Sequence, residues 1–203
     1  TIDAAAASGA DLRLVHHGLV WDGEPRVTER RYRRLRQLLD ADMAVYSTHL
    51  PLDLHPTLGN NAQLASATGI EVEGTFGFNR GEAVGVYGRL VMRRETLAAR
   101  LDEVLGQRVR LVAGGPERTE RVGVITGGAA SMIAAARQAG VDTFITGEAA
   151  HHHFFDAEEG GINLLLGGHY ATETWGVRAL GAHLQAILLH EVVVPAKLVE
   201  LGE

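Results

Sequence analysis

Residues 9–17 read GADLRLVHH and residues 140–148 read GVDTFITGE, so a Gly-x-Asp motif precedes a short apolar stretch at two places. Short apolar stretches bounded by turn residues are typical of buried β-strands. Each is followed by a helical pattern and a second strand pattern. The second strand then leads into a histidine with a carboxylate four residues later, His49 with Asp53 and His169 with Glu173. We interpret the chain as two copies of one α/β unit.

The order of helices and strands predicts an α/β protein made of two intertwined, internally duplicated lobes, with mixed sheets and a small inserted α+β segment. The expected bounds are 1–73 for the first repeat, 74–120 for the insertion and 121–203 for the second repeat. We expect a basic helix over 28–39, a long helix over 172–188 and a last strand over 191–194. Because the chain starts at Thr1 with what reads as the end of a helix, we expect the N-terminal strand region of the first repeat to be missing.

The composition of the 203 residues excludes several classes of site. The chain has no cysteine, so disulfides, thiolate metal sites and cysteine nucleophiles are excluded. No run of 18 apolar residues suggests a membrane span, and a cytoplasmic location is the expectation. The net charge of −6 argues against duplex DNA as a partner. The chain has ten histidines, which are unevenly placed, and this is the feature that suggests a functional site.

Two histidines, His16 and His17, come directly after the first predicted strand. Open α/β sheets place their ligands at the carboxyl ends of strands. Because adjacent side chains point in different directions there, the two imidazoles could serve two metal ions. The alternative is a pair of surface histidines in a turn.

Two further segments offer carboxylates. Asp53 lies between Pro51 and Pro56, which favour a preorganised loop, although it could instead cap the helix near Asn61. His169 and Glu173 are four residues apart at a helix start and therefore project on one face. The alternative for that pair is a capped helix start with an exposed glutamate.

Taken together, these residues indicate a metal centre with open coordination positions. Imidazole and carboxylate ligands without thiolate suit Zn, Fe, Mn or Co. Five ligands do not saturate two divalent ions, and open positions are typical of catalytic rather than structural sites. We therefore expect two divalent ions per subunit.

The chain resembles the Nif-three-like family over essentially its whole length, through the motifs His16-His17-Gly18-Leu19, Thr48-His49-Leu50-Pro51-Leu52-Asp53-Leu54-His55-Pro56, Gly59-Asn60-Asn61 and Gly168-His169-Tyr170-Ala171-Thr172-Glu173. Bacterial members of that family are known as GTP cyclohydrolase I type 2. The resemblance implies a dinuclear centre at His16, His17, Asp53, His169 and Glu173, with Glu173 bridging, in a ring-shaped homohexamer. The resemblance also implies an additional N-terminal strand-bearing segment, which we expect to be missing here, and the compact version of the insertion.

The resemblance also places other polar residues near the metals. His152 matches a recurrent family histidine, and we expect His152 and His49 to act in proton transfer. Glu148 is expected to orient a ligand histidine. We expect His151 and His153 to be solvated, and the Gly127-Gly128 segment to form a tight turn rather than a phosphate site. The basic run Arg30–Arg36 is expected to be a solvated helix face, though in a ring it could attract phosphate-bearing ligands.

The favoured function is a dinuclear divalent-metal-dependent hydrolase, because a divalent ion activates water near neutral pH. The resemblance implies GTP as a small-molecule nucleotide substrate, with hydrolytic attack at C8 of guanine. The alternative is a non-catalytic metal-binding ring scaffold that recruits a protein or single-stranded nucleic acid.

Overall fold

A computed structural model of the chain describes residues 2–20 and 26–191. These residues form two compact units. The first unit takes in the described residues up to His49 and those from Val177 onward, and the second unit is Leu50–Gly176. Among the described helices, none combines the length and apolar character needed to cross a bilayer.

The first unit contains two parallel strands and two helices near its N-terminus. They are α1 (Ile2–Ala7), β1 (Leu12–Val15), α2 (Glu29–Asp40) and β2 (Ala44–Ser47), with Leu12 opposite Ala44 and Val15 opposite Ser47. A small core of Ile2, Ala5, Leu38 and Met43 holds the helices together. The predicted basic helix over 28–39 is confirmed as α2, and its arginines 30, 33, 34 and 36 are exposed.

The second unit is built on a six-stranded mixed sheet. Its elements are α3 (Leu50–Asp53), α4 (Asn60–Thr68), β3 (Glu71–Asn79), β4 (Glu82–Arg93), α5 (Arg94–Leu105), β5 (Arg110–Ala113), β6 (Arg118–Val124), α6 (Ile133–Gln138), β7 (Thr143–Thr146), α7 (His152–Gly160), β8 (Asn163–Leu166) and α8 (His169–Thr172). The strand order is β3-β4-β6-β7-β8-β5, with β6, β7 and β8 parallel and the other pairs antiparallel. Helix α9 (Trp175–Glu191) begins at the end of this unit.

Both faces of the central strands are buried, as their continuous apolar sequences predict. Phe144 and Leu164 pack in one core cluster with Phe76 and Ile133. Their chain neighbours Ile145 and Leu165 pack in a second cluster on the other face, as the alternation of side chains along a strand requires. The carboxyl ends of β7 and β8 are thereby fixed in a rigid sheet.

The predicted duplication is confirmed by matching backbone hydrogen bonds in the two units. Ala44 N donates to Asp11 O at 2.8 Å, and Asn163 N donates to Asp142 O at 2.9 Å. At the other end of each strand pair, Thr48 N donates to Val15 O at 3.1 Å and Gly167 N donates to Thr146 O at 2.9 Å. Each unit thus contains the same parallel strand pair, with polar residues following its carboxyl end.

Two expectations need correction. The predicted long helix over 172–188 is α9, which begins three residues later, at Trp175, and is separated from the short helix α8 by Glu173 and Thr174. Glu191, the first residue of the predicted last strand, instead ends α9, and 192–194 lie outside the described residues. The segment predicted as a small insertion contributes strands to the six-stranded sheet, since β4 pairs with β6 and β5 pairs with β8. The domain bounds themselves stay a prediction.

Candidate metal centre

Three histidines gather at the strand ends of the first unit. His16 and His17 follow β1, and His49 lies two residues after β2. Their ring centroids are 4.9 Å apart for His16 and His17, and 4.8 Å apart from His49 in each case. Each residue offers a ring nitrogen within 4.8 Å of the others. The parallel pairing of β1 and β2 brings His49 beside the histidine pair.

The tautomer of His16 follows from its hydrogen bond. His16 Nδ1 lies 3.1 Å from the carbonyl oxygen of Thr48, which can only accept a hydrogen bond. Nδ1 therefore carries the proton, and the Nε2 lone pair is the one suited to a metal. His16 is buried, so its ring orientation is fixed by packing as well as by this hydrogen bond.

In the second unit, His169 lies between two carboxylates. Its Nδ1 is 2.9 Å from Glu148 Oε1, and its Nε2 is 3.0 Å from Glu173 Oε2. Burial lowers the pKa of His169, but the hydrogen bonds and negative charges of Glu148 and Glu173 outweigh it and raise the pKa above its ordinary value. A carboxylate on Nδ1 is the arrangement that orients metal-bound histidines through Nε2. The position of Glu148 therefore suits the orienting role expected for it.

Asp53 is held by a buried pair of amides. Asn60 Nδ2 donates to Asp53 Oδ1 at 2.8 Å, and Asn60 Oδ1 accepts from Gly176 N at 2.7 Å. Asn61 Nδ2 donates to the carbonyl oxygens of Val84 and, at 3.4 Å, of Asp53. These amides fix the end of α3, where Asp53 lies, against the sheet and against the start of α9. The alternative in which Asp53 caps α4 is not seen, because the N-cap of α4 is Gly59.

A glycine turn makes room for the carboxylates. Gly127 has a φ of +70°, and a Cβ at this position would overlap Oε1 of Glu173. A Cβ at Gly128 would lie 3.3 Å from Oε1 of Glu148. Gly127 N donates to Thr172 Oγ1 at 3.1 Å, and Gly127 O accepts from Gly147 N at 2.8 Å. The tight turn is confirmed, and two carboxylates beside it oppose a phosphate at this place.

The remaining predicted residues lie on α7. His152 is grouped with His153 and Asp156, and its ring centroid is 4.0 Å from that of His153. His151 is exposed, as expected, whereas His153 is half-buried and accepts a hydrogen bond from Ala150 N. The proton-transfer roles of His49 and His152 stay predictions.

Asn60 and Asn61 belong to one of the sequence motifs, but no role was predicted for them. The sequence does place two adjacent amides after a proline-stiffened loop, at the start of a helix that buries Leu64 and Ala65. Gly127 was assigned only to a turn. Its contact with Glu173 joins residues that are far apart in the chain and is not visible in the local sequence.

The donor atoms of both units suit divalent cations. The first unit offers imidazole nitrogens, and the second offers an imidazole beside carboxylate oxygens. A family model described as Duf34/NIF3 (NGG1p interacting factor 3) matches residues 1–200. The chain belongs to the Duf34/NIF3 family. This confirms the family predicted from the motifs.

Relatives within the family share a name. A protein from Deinococcus radiodurans, named GTP cyclohydrolase 1 type 2 homolog, is 42% identical over 187 residues, which cover 91% of this chain and 71% of the relative. A protein of the same name from Pseudomonas aeruginosa is 43% identical over 187 residues, covering 90% of this chain and 73% of the relative.

Solved structures carry the same fold. A protein designated ybgI, described as of unknown function, superposes with a TM-score of 0.88 at 37% identity and covers 100% of this chain and 80% of its own. A protein from Thermus thermophilus superposes with a TM-score of 0.83 at 31% identity, covering 98% of this chain and 80% of its own. The predicted α/β class is thereby confirmed.

The ion pairs of His169 make stability depend on pH in the metal-free chain. Because the folded pKa is raised, this contribution is complete below the ordinary value of 6.5 and is lost as the pH rises through the folded pKa. Glu148→Gln removes one negative charge, so we expect a lower pKa of His169 and a loss of stability at about pH 5 but not at about pH 9. Thermal unfolding at both pH values and an NMR titration measure this. Glu158→Gln, an exposed change on α7, is the control. Equal pKa values of His169 in both variants would contradict the assignment.

Proposed function

We propose that the chain is a dinuclear divalent-metal-dependent hydrolase in which His16, His17, Asp53, His169 and Glu173 hold two ions per subunit. The observation that carries most weight is the gathering of three imidazoles at the ends of β1 and β2, with ring nitrogens within 4.8 Å of one another. Two of these imidazoles, those of His16 and His17, are proposed ligands, and imidazole nitrogen is a common ligand of divalent transition metals. Zn, Fe, Mn and Co are the ions that this donor set suits.

Each residue has a role in this proposal. Glu173, held 3.0 Å from His169, would be a ligand of the ions, as would Asp53, which is kept in place by Asn60. Glu148 fixes the ring of His169 through Nδ1. The ions, when bound, would supply Lewis-acid activation of water and of the group under attack. His49, beside the histidine pair, moves the proton of the nucleophile or of the leaving group.

The relatives' name supports GTP as the substrate. Hydrolytic attack at C8 of the guanine ring is the reaction that the family resemblance implies. The chemistry of the site supports a hydrolase more broadly, since imidazole and carboxylate ligands with open positions serve attack at either carbon or phosphorus. The substrate class therefore rests on the relatives, and the reaction class rests on the ligands.

A comparison of Asp53→Ala with the unchanged chain tests the function. We expect the metal-loaded chain to hydrolyse GTP and the variant to be slower by at least about 100-fold, because loss of a ligand removes more than the loss of a group that only orients one. Product formation from GTP is followed by absorbance and chromatography. Glu103→Ala, an exposed change on α5, is the control and should retain the rate.

The possible outcomes distinguish an error in the proposed substrate from an error in the proposed class of reaction. Equal turnover by the unchanged chain and Asp53→Ala would contradict hydrolysis at this site. If the metal-loaded chain leaves GTP intact but cleaves a phosphodiester or dinucleotide in an Asp53-dependent manner, GTP is the wrong substrate and the hydrolase stands. Metal binding without turnover of any of these substrates would favour the scaffold function.

The ring-shaped homohexamer and the cytoplasmic location belong to the same proposal. A hexamer would place several copies of the site in one assembly. Native mass spectrometry of the metal-loaded chain should give six copies, and a monomer mass would contradict the ring.

A further inference from the structure

Helix α7 carries a second group of potential metal ligands. It begins at His152, and Asp156 lies one turn further along on the same face. The ring centroids of His152 and His153 are 4.0 Å apart, and one ligand atom from each of His152, His153 and Asp156 lies within 4.8 Å of the other two. All three belong to the second unit and to one rigid helix, so their spacing is set locally.

We propose that His152, His153 and Asp156 form a further site for one divalent cation of the borderline class, Zn²⁺, Co²⁺, Ni²⁺ or Cu²⁺. Two imidazoles and one carboxylate are the donors that these ions prefer, whereas Mg²⁺ and Ca²⁺ require a shell of oxygen atoms. Three ligands leave at least one position for water or for an anionic ligand. The site shares no ligand with the proposed dinuclear centre, whose five ligands include none of these residues.

The hydrogen bond of His153 sets the strength of this site. Ala150 N donates to His153 Nδ1 at 3.1 Å. A cation on Nδ1 would take the lone pair that accepts this bond, and a cation on Nε2 would require the proton to move to Nδ1. Binding through either nitrogen therefore breaks the bond and weakens the site. We expect affinity in the micromolar rather than the nanomolar range.

The ligands also suit a cation in charge, because the carboxylate of Asp156 balances part of the charge of a divalent ion.

The neighbouring cleft gives the cation an accessible ligand position. An open cleft of about 420 Å³ is lined by His153 together with Gly128 and Glu148. Glu148 is the carboxylate that accepts from His169 Nδ1. A ligand of the α7 cation that enters this cleft would therefore lie near the residue that orients His169.

Calorimetric titration of Zn²⁺ into the whole chain tests the proposal. We expect Asp156→Asn and His153→Ala each to remove one Zn²⁺ from the number bound, with affinity at that site lowered by more than about 100-fold. His151→Ala is the matched control, since His151 is the adjacent exposed histidine outside the group. Circular dichroism confirms that each variant is folded.

The test does not depend on the dinuclear centre, because it measures a difference in stoichiometry. If the dinuclear proposal fails, the unchanged chain still binds one more Zn²⁺ than Asp156→Asn does. A second readout is NMR of the imidazole nitrogens, in which Zn²⁺ should shift His152 and His153 but not His151. Equal stoichiometry in the variants and the control, or rings of His152 and His153 that ignore Zn²⁺, would overturn the site. Mg²⁺ should leave these rings unchanged, and an equal response to Mg²⁺ would overturn the assigned class of cation.

Discussion

Gly127→Ala is expected to weaken divalent metal binding at the proposed dinuclear centre by about 10- to 100-fold, the range measured when a group that positions a metal ligand is lost. The added methyl group would overlap Oε1 of Glu173. Glu173 is only 11% exposed, so its carboxylate has little space in which to retreat while it stays beside His169. Calorimetric titration with Zn²⁺ or Co²⁺ measures the loss.

Gly161→Ala separates this contact from the backbone effect. Gly127 and Gly161 both have a φ of +70°, but a Cβ at Gly161 would have no atom within 4 Å. Both variants should lose roughly 1–2 kcal/mol of stability from the left-handed backbone conformation. Only Gly127→Ala should also lose metal affinity. Equal affinities in the two variants would show that the position of Glu173 does not control binding.

Asn61→Ala is expected to lower the free energy of unfolding by about 2–6 kcal/mol. Asn61 is 1% exposed and donates to Val84 O at 2.6 Å, while its Oδ1 accepts from Thr126 N at 2.8 Å. Alanine would leave both backbone groups buried without these partners, at a cost of about 1–3 kcal/mol each. A loss of about 3 kcal/mol corresponds to a fall in Tm of roughly 6–12 °C for a chain of this size.

The control for Asn61 is Ser66→Ala, an exposed change on the same helix α4. Its effect should stay within about 0.5 kcal/mol. Chemical denaturation of both variants gives the comparison. A change at Asn61 as small as that at Ser66 would mean that Val84 and Thr126 find other partners, and the amide would then have no part in fixing the loop around Asp53.

The sequence was sufficient to predict strands, and candidate ligands at their ends, where the local pattern of apolar residues agrees with burial. The strands β1, β2, β7 and β8 read as apolar runs because both faces or one face of each are packed, and their carboxyl ends pointed to the candidate ligands. The repeated aspartates, Asp11 and Asp142, marked equivalent strand starts, and their carbonyl oxygens accept equivalent hydrogen bonds. Chain order alone therefore located the candidate residues at strand ends.

The break between α8 and α9 could not be predicted from local pattern. Residues 172–188 have uninterrupted helical character in sequence, yet the helix restarts at Trp175. Gly176 N donates a hydrogen bond to Oδ1 of Asn60, which is 116 residues earlier in the chain. A side chain far away in the sequence thus accepts a hydrogen bond from the first turn of α9. The residues around Trp175 give no sign of this partner.

Strand β3 was not predicted from the sequence, for a related reason. Its glycines, Gly74 and Gly77, weaken any strand signal, and its pairing with β4 shifts register between Val72 and Gly74. A Cβ at Gly74 would lie 2.6 Å from the hydroxyl of Tyr87. The side chain of Tyr87 on the neighbouring strand leaves little room for a Cβ at Gly74. The reason for this glycine is therefore apparent only once the pairing of β3 with β4 is known.

Anomalous diffraction from crystals of the chain grown with Zn²⁺ or Co²⁺, recorded at the absorption edge of the metal, tests the dinuclear centre most directly. We expect two neighbouring peaks about 3.5–4 Å apart, enclosed by His16, His17, Asp53, His169 and Glu173. A map without a peak within bonding distance of both His17 and the carboxylates of Asp53 and Glu173 would contradict it.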